Sequence, residues 1–326
     1  MNQVVARAKV LAGNQQVLLL VVLLAMIGFF TWRNSIFFSN GVFGNIISDW
    51  CPIILIAIGE TFVIISGGID LSVGSTVGIS GVVAAFAMER LTTAHYGANS
   101  TLLIGFLVSV GIGFLVGAIN AILITKGKIV PFIATLVTMG AGAGLSIVFT
   151  GGGPVGGGPD SAIQLSVPTI GPFSKPGLVI VVIVGVLGLF LHKARFGRYT
   201  YAIGSNSFAA RAVGINVNRH LAKIYILSGI LAGMAGYYYY LRLGVGAPTS
   251  GQGGELQAIA AVVIGGASLS GGVGRLSGTL LGALILTTVT SGLIIINVAA
   301  NWKQVVVAIL IAAAVLLQEL RNRTKK

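Results

Sequence analysis

The side chains that most often carry acid–base, nucleophilic or metal chemistry are scarce in this chain: seven acids, three histidines and one cysteine in 326 residues. His95, His192 and His220 stand alone, with no HExxH and no GxSxG around them. A single Cys51 excludes an internal disulfide framework and a multi-cysteine metal site. No GxxxxGK[ST] occurs, so the chain cannot hold ATP by a P-loop. The glycine-rich stretch "GGGPVGGGPDSAIQLSVPTIGPFSKP" has no following Lys-Ser/Thr and no preceding strand. It reads as a flexible outer loop available to a soluble partner. Of the acids, Asp49, Glu89, Asp160 and Glu319 fall near expected helix ends or loops. Glu60, Asp70 and Glu255 fall within or beside apolar runs. An ionised carboxylate at bilayer depth costs at least ~2.5 kcal/mol, so such a residue usually faces a partner or a cavity. Ion coupling, a solute route and structural hydrogen bonding are the chemistries open to these three.

Their contexts differ. Asp70 sits in "ISGGIDLSVGS", where two glycines and Asp-Leu-Ser read as a helix break and restart. Asp70 or Ser72 is placed to cap a helix beginning near Val73, taking up its free N–H groups. Broken helices line substrate routes in transporters, so Ser66, Asp70 and Ser72 are also candidate pathway or gating residues. Glu255 opens "GGELQAIAAVVIGGASLSGGVG", where its charge would complement a helix N-terminus. Glu60, in "AIGETFVII", lies inside a span and suits a buried hydrogen bond or a pathway role. The pattern "GG..LS.G" occurs at 67–74 and again at 265–272. It reads either as a trace of duplication or as two similar glycine-rich breaks on one side of the membrane.

The elements that position these groups are helices in a membrane. Only 8% of residues are charged and 55% are hydrophobic, with a mean hydropathy of +0.98. Soluble domains average roughly 25% charged. The fold class is therefore all-α and polytopic, without the alternating strands of an outer-membrane barrel. Apolar length and punctuation place about ten spans, at 16–32, 44–66, 72–88, 102–124, 130–149, 176–192, 222–243, 254–266, 278–297 and 302–319. The eighth is short for a bilayer and reads as broken or tilted. The first lacks a small-residue cleavage site and reads as retained. Residues 1–326 form one transmembrane domain with a cytoplasmic loop at 193–223 and an outer loop at 150–176.

The net charge of +13 would suggest nucleic acid in a soluble protein. Here it follows the positive-inside bias. With the N-terminus inside, Arg33, Arg90, Lys175, Arg242 and Lys303 fall outside, leaving the other fifteen of the 20 Lys and Arg inside. Both termini are then cytoplasmic. Trp32, Trp50, Trp302 and the tyrosines at 237–240 fall at outer span ends, where an aromatic belt belongs. Many of the 48 glycines recur at small-residue spacing, as in "GFLVGAIN" and "GTLLGALI", a pattern that lets helices approach closely in lipid.

The cytoplasmic loop contains "YAIGSNSFAARAVGINV", at 201–217. Ser205, Asn206 and Ser207 are N-cap types, "FAARAV" makes two helical turns at most, and Gly214 suits a left-handed C-cap. Asn218 is placed to cap the next span. So short a helix is marginal alone. It needs a docking surface, either lipid headgroups or a cytoplasmic protein.

"GGIDLSVGS", "PFIATLVTM", "GSNSFAARAVGINV" and "GGELQAIAAVVIGGASLSGGVGRLSGTLLGA", in this order, resemble the permease subunits of ribose-type sugar ATP-binding-cassette importers, in the branched-chain amino acid/ribose/xylose permease superfamily. The resemblance covers about residues 43 to 318. It implies a type II importer-like fold with broken helices in a bacterial inner membrane. It also implies a second permease subunit, identical or paralogous, and an extracytoplasmic solute-binding protein. A separate cytoplasmic ATPase would hold the Mg-ATP; this chain would be no enzyme and carry no cofactor. In such importers the loop helix transmits ATPase closure, and Gly204, Asn206, Ala209, Ala210, Arg211 and Gly214 match that motif. Ser205 stands where many members have a second glycine. The resemblance also implies that Met is frequent at position 60, which counts against an essential role for Glu60. The expected cargo is a monosaccharide, ribose or a related pentose, hexose or polyol. A furanone signal, a nucleoside or a branched-chain amino acid are alternatives, as is proton-coupled secondary transport through Glu60, Asp70 or Glu255.

Overall fold

The computed structural model of the protein describes residues 15–299 and, beyond them, positions 302, 305, 306, 308–310, 312 and 316. Among the described residues the chain is helical, with two isolated β-bridges, Val155 to Gly246 and Ile170 to Phe173, as its only extended pairing. In chain order the helices are α1 (Gln15–Arg33), α2 (Asn40–Ile65), α3 (Val73–Thr93), α4 (Ala98–Thr125), α5 (Pro131–Thr150), α6 (Ser161–Ser166), α7 (Lys175–Lys193), α8 (Arg195–Ser205), α9 (Ser207–Ala212), α10 (Val217–Leu243), α11 (Gly254–Ile264) and α12 (Leu276–Ile295).

Nine of the ten expected spans are helices near the expected boundaries, as α1 to α5, α7, α10, α11 and α12. The span expected at 302–319 and both termini lie largely outside the described residues. Among the described residues, seven helices are long and apolar enough to cross a bilayer: α1, α2, α4, α5, α7, α10 and α12. This is a multi-pass membrane protein. The eleven-residue α11 is the short helix the sequence implied, about 16 Å long at 1.5 Å per residue, roughly half a bilayer core.

Burial separates the helices by role. Every position from 50 to 65 on α2 is buried, as expected of a helix apolar all round. It packs against α10, α11 and α12 and forms the centre of the bundle. On α4 the buried positions are a stripe, Gly105, Ser109, Gly113, Gly117 and Ala121, one small residue per turn. That stripe meets α10. A Cβ on Gly117 would stand 2.9 Å from the Ile226 Cα, and one on Gly229 would stand 2.8 Å from the Gly117 N. The Ser109 hydroxyl donates to the Gly233 carbonyl at 2.8 Å across the seam. Lipid offers no hydrophobic drive between helices, so close backbone packing and such bonds hold the pair together.

The aromatic belt needs correction. Trp32 and Trp302 are 78% and 57% exposed, as a belt requires, but Trp50 is 6%, Tyr238 2% and Tyr240 1% exposed. The Trp50 indole N–H points to the Leu280 carbonyl at 3.5 Å, and Tyr237 donates to the Leu102 carbonyl at 2.9 Å. These rings fill space between helices because α2, α3 and α4 enclose α10.

Candidate functional site

Between α2 and α3 the chain leaves the helix for seven residues, 66–72. Gly67 takes φ +87°, the left-handed turn that glycine permits at a helix end. The Ser66 hydroxyl bonds back to the Val63 carbonyl at 2.8 Å. Of the pathway candidates, Ser66 is thus occupied within its own helix end.

Asp70 is the hub. Its Oδ1 accepts from the Ser72 N–H at 3.0 Å and the Ser72 hydroxyl at 2.6 Å; its Oδ2 accepts from the Ser228 hydroxyl on α10 at 2.9 Å. Asn120 on α4 donates to Ser72 Oγ at 2.8 Å, and Thr138 on α5 donates to Asn120 Oδ1 at 2.6 Å. Thr135, also on α5, reaches the Ile69 carbonyl at 3.2 Å. One break is therefore tied to three further helices. Asp70, Ser72, Asn120 and Ser228 are all at most 1% exposed. Ser72 occupies the N-cap position of α3, but its side chain makes no cap bond. Asp70 instead takes the Ser72 N–H just ahead of the helix. The expected side-chain cap of α3 is thus made by neither residue: Asp70 holds the N–H of the N-cap residue itself, and the Ser72 hydroxyl is spent between Asp70 and Asn120.

Glu60 lies one side of this hub. Its Oε1 accepts the Asp70 backbone N–H at 3.2 Å. Its Oε2 and the hydroxyl of Tyr225 are buried with no hydrogen-bond partner among the described residues. No Lys or Arg forms an ion pair with Glu60 or Asp70 among the described residues. The arrangement suits holding a break in one shape, since backbone and hydroxyl donors satisfy both oxygens of Asp70 and one of Glu60 in place of a counter-ion.

The second glycine-rich break follows α11 and meets the first. The Gly272 N–H donates to the Ile65 carbonyl at 2.8 Å, tying the end of α2 to the α11–α12 connection. The end of α8 is wedged against both. A Cβ at Gly204 would collide with the Ile65 carbonyl oxygen and lie 2.6 Å from the Gly272 N; one at Gly271 would lie 3.0 Å from the Gly67 Cα. Tyr201, on α8, donates to the Gly274 carbonyl at 2.8 Å. Burial raises the Tyr201 hydroxyl pKa above its usual value, with Arg275 partly opposing the shift. Both copies of "GG..LS.G" thus converge on the end of α8. Glu255 opens the first turn of α11, as its sequence context implied, and its carboxylate lies against Gly74 in the first turn of α3. Two helix N-termini approach it, a favourable place for negative charge.

The loop motif itself is largely as expected. Asn206 caps α9, accepting from the Ala209 N–H at 2.9 Å, and Gly214 ends it at φ +86°. Asn216, rather than Asn218, caps α10 by accepting from the Arg219 N–H at 3.0 Å. The chain turns into α10 earlier than its apolar run begins, so the cap moves back two residues. Ala210 is 3% exposed and packs with Ile203 and Val217, which gives the short helix its docking surface. Phe208 and Val213 are left 83% and 77% exposed, beside exposed Arg211.

Sequence reasoning missed α8 and the partners of Asp70. Asn120 inside an apolar helix was a usable signal, because a buried amide in a membrane requires a partner. Ser228 and Thr138 carried none, since hydroxyls commonly satisfy themselves on their own helix.

Comparison with known proteins agrees with this geometry. The family described as branched-chain amino acid transport system / permease component matches residues 42–315. The ribose import permease protein RbsC of Escherichia coli (strain K12) is 38% identical over 311 residues, 94% of this chain and 94% of that protein. RbsC of Bacillus subtilis (strain 168) is 43% identical over 276 residues, 82% of this chain and 81% of that one. The autoinducer 2 import system permease protein LsrC of Enterobacter sp. (strain 638) is 32% identical over 309 residues, 95% and 88% of the two chains. No solved structure matches the chain. A match that spans both breaks, the loop helix and the α4–α10 seam shows that this chain belongs to the branched-chain amino acid transport system / permease component family.

Proposed function

We propose that this chain is the pore-forming subunit of an ATP-driven importer in a bacterial inner membrane, carrying a monosaccharide, ribose first among them, into the cytoplasm. Two permease subunits flank the pore. An extracytoplasmic binding protein delivers the solute, and a separate cytoplasmic ATPase binds Mg-ATP. Both termini and the loop at 193–223 face the cytoplasm.

The observation that carries this reading is α9. It is anchored by Ala210, presents Phe208, Val213 and Arg211 to a partner, and adjoins α8, which touches both helix breaks. A surface so placed suits delivering ATPase closure to the membrane helices. The names of the relatives favour a sugar; the LsrC relatives keep a signalling furanone as the second reading. Among the described residues the Asp70 hub has no paired cation, which disfavours a zwitterionic cargo needing fixed counter-charges.

The test is Arg211→Glu in the permease co-expressed with its ATPase and binding protein. Uptake of D-ribose is expected to collapse while the permease remains in the membrane, because a rim charge of the wrong sign repels its partner. Full uptake by the variant would refute docking through this face. Uptake that survives ATP depletion and collapses with the proton gradient would favour a secondary transporter.

A further inference from the structure

At the end of the bundle away from α8 and α9, a cavity of about 230 Å³ opens between α2, α3, α10, α11 and α12. Its polar lining is Asp49, Tyr239, Ser250, Gln252, Gln257 and Thr290. Ile53, Ile56 and Val77 supply an apolar side. It lies at the N-terminal end of the short helix α11, the kind of half-helix end that binds solute in transporters built from broken helices.

We propose that this cavity is a weak binding subsite for one neutral, polyhydroxylated ring on its way through the permease. The proposal rests on the sugar reading above and adds the place and the residues. The lining brings both donors and acceptors without an unbalanced charge. Gln252 and Gln257 each offer an amide oxygen and an NH₂, which together suit a hydroxyl acting as donor and acceptor at once. The Ser250 hydroxyl is buried and has no partner among the described residues. The Thr290 hydroxyl donates to the Thr287 carbonyl at 3.1 Å, so its lone pairs stay available to accept. Asp49 is held by Arg242 at 3.1 Å, which cancels its charge and disfavours a cationic ligand.

Size and polarity narrow the class. Ligand pockets for drug-sized molecules run about 300–1,000 Å³, so 230 Å³ lies below that range and accommodates a single sugar ring. The aliphatic side formed by Ile53, Ile56 and Val77 suits the C–H face of such a ring. The cavity also reaches toward the break, since Val77 lies one turn beyond the start of α3. A shift of the break would therefore reshape the cavity. That coupling suits a site that must release what it holds.

The experiment uses the assembled transporter, with ATPase and binding protein, in proteoliposomes with D-ribose as the probe. Gln257→Leu and Gln252→Leu remove amide pairing at similar size. D-ribose uptake is expected to fall at least about fivefold in each, the scale of one or two lost hydroxyl pairings. ATPase stimulation by the binding protein is expected to stay native, because neither residue touches α8 or α9. Native uptake in both variants overturns the subsite and leaves the sugar reading standing. Loss of ATPase stimulation together with uptake also overturns it, by showing a structural role for the glutamines. A native complex that imports neither D-ribose nor any of a panel of other pentoses, hexoses and polyols overturns the sugar reading and this proposal with it.

Discussion

Gly204→Ala adds one methyl group where α8 meets both breaks. The new Cβ would collide with the Ile65 carbonyl oxygen and stand 2.6 Å from the Gly272 N and 2.9 Å from the Ile65 carbonyl carbon. Ordinary contact needs about 3.5 Å, so α8 must retreat by roughly 2 Å from the Ile65 carbonyl oxygen or the two breaks must part. Either response strains the 2.8 Å bond from the Gly272 N–H to the Ile65 carbonyl. Overpacking costs about 1–3 kcal/mol, and a buried backbone pair left unmade costs about 1–3 kcal/mol more. Allowing for partial relaxation, the total is about 2–4 kcal/mol. At 1.36 kcal/mol per factor of ten, 2 kcal/mol alone shifts a two-state junction by about thirtyfold. The assay is the ratio of D-ribose imported to ATP hydrolysed by the assembled complex, with denaturant unfolding of the permease in detergent beside it. Gly140→Ala is the control, because a Cβ there meets nothing within 4 Å. Gly204→Ala is expected to lower the transport ratio and the unfolding free energy; the control is expected to leave the ratio unchanged and to keep or raise the unfolding free energy, by up to about 1 kcal/mol, because alanine favours a helix interior. A Gly204→Ala variant with native coupling and native unfolding would show that α8 does not bear on the breaks.

Two further outcomes follow from the same contacts. Asp70→Ala strands the Ser72 N–H, the Ser72 hydroxyl and the Ser228 hydroxyl in a buried site; unfolding in detergent is expected to lose about 3–5 kcal/mol, against about 1–2 for Asp70→Asn, whose amide can still pair with Ser228. Equal losses would mean that the hydrogen bonds at Asp70 do not hold the break. Gly229→Val forces α10 off the Gly113 and Gly117 backbone of α4 and is expected to cost about 3 kcal/mol or more; the yield of monodisperse protein after solubilisation reads this out, and a native yield would refute tight packing at the seam.

Helix existence was legible because a membrane span is a length and a composition, and both are local. The Asn206 cap, the Gly214 ending and the placement of Glu255 at a helix start were legible for the same reason. What escaped was nonlocal. Nothing near residue 70 announces Ser228, 158 positions away. The tyrosines at 237–240 resembled an interfacial belt because sequence shows that a ring is amphipathic but not what stands next to it. Helix α8 was hidden since its arginines and glycines resembled a loop, and only contact with the breaks gives it a reason to be helical. The two "GG..LS.G" segments were visible as a pattern, yet their meaning, that they meet through Ile65 and Gly272, required the fold.

The buried carboxylates make physical sense only with the breaks. A continuous helix satisfies its own backbone and would have no use for Asp70. Interrupting it inside the bundle frees buried N–H groups that need partners, and Asp70 and Glu60 accept from the Ser72 and Asp70 N–H groups at that point. The break then has one preferred shape, pinned from α4, α5 and α10. Such an element moves as a unit or not at all. The bond from Gly272 to Ile65 joins it to the second break, so a push on α9 and α8 reaches both together. From Ile65 to Asp49, the length of α2 between junction and cavity is sixteen residues, about 24 Å at 1.5 Å per residue. Over that distance α2 is buried from position 50 onward; Pro52 lies inside it and gives it a place to bend, so the segment from Ile53 to Ile65 is the part suited to tilt as a rod. On the proposed mechanism, a small displacement at the loop helix thus becomes a change in cavity shape, without any charge having to cross the membrane.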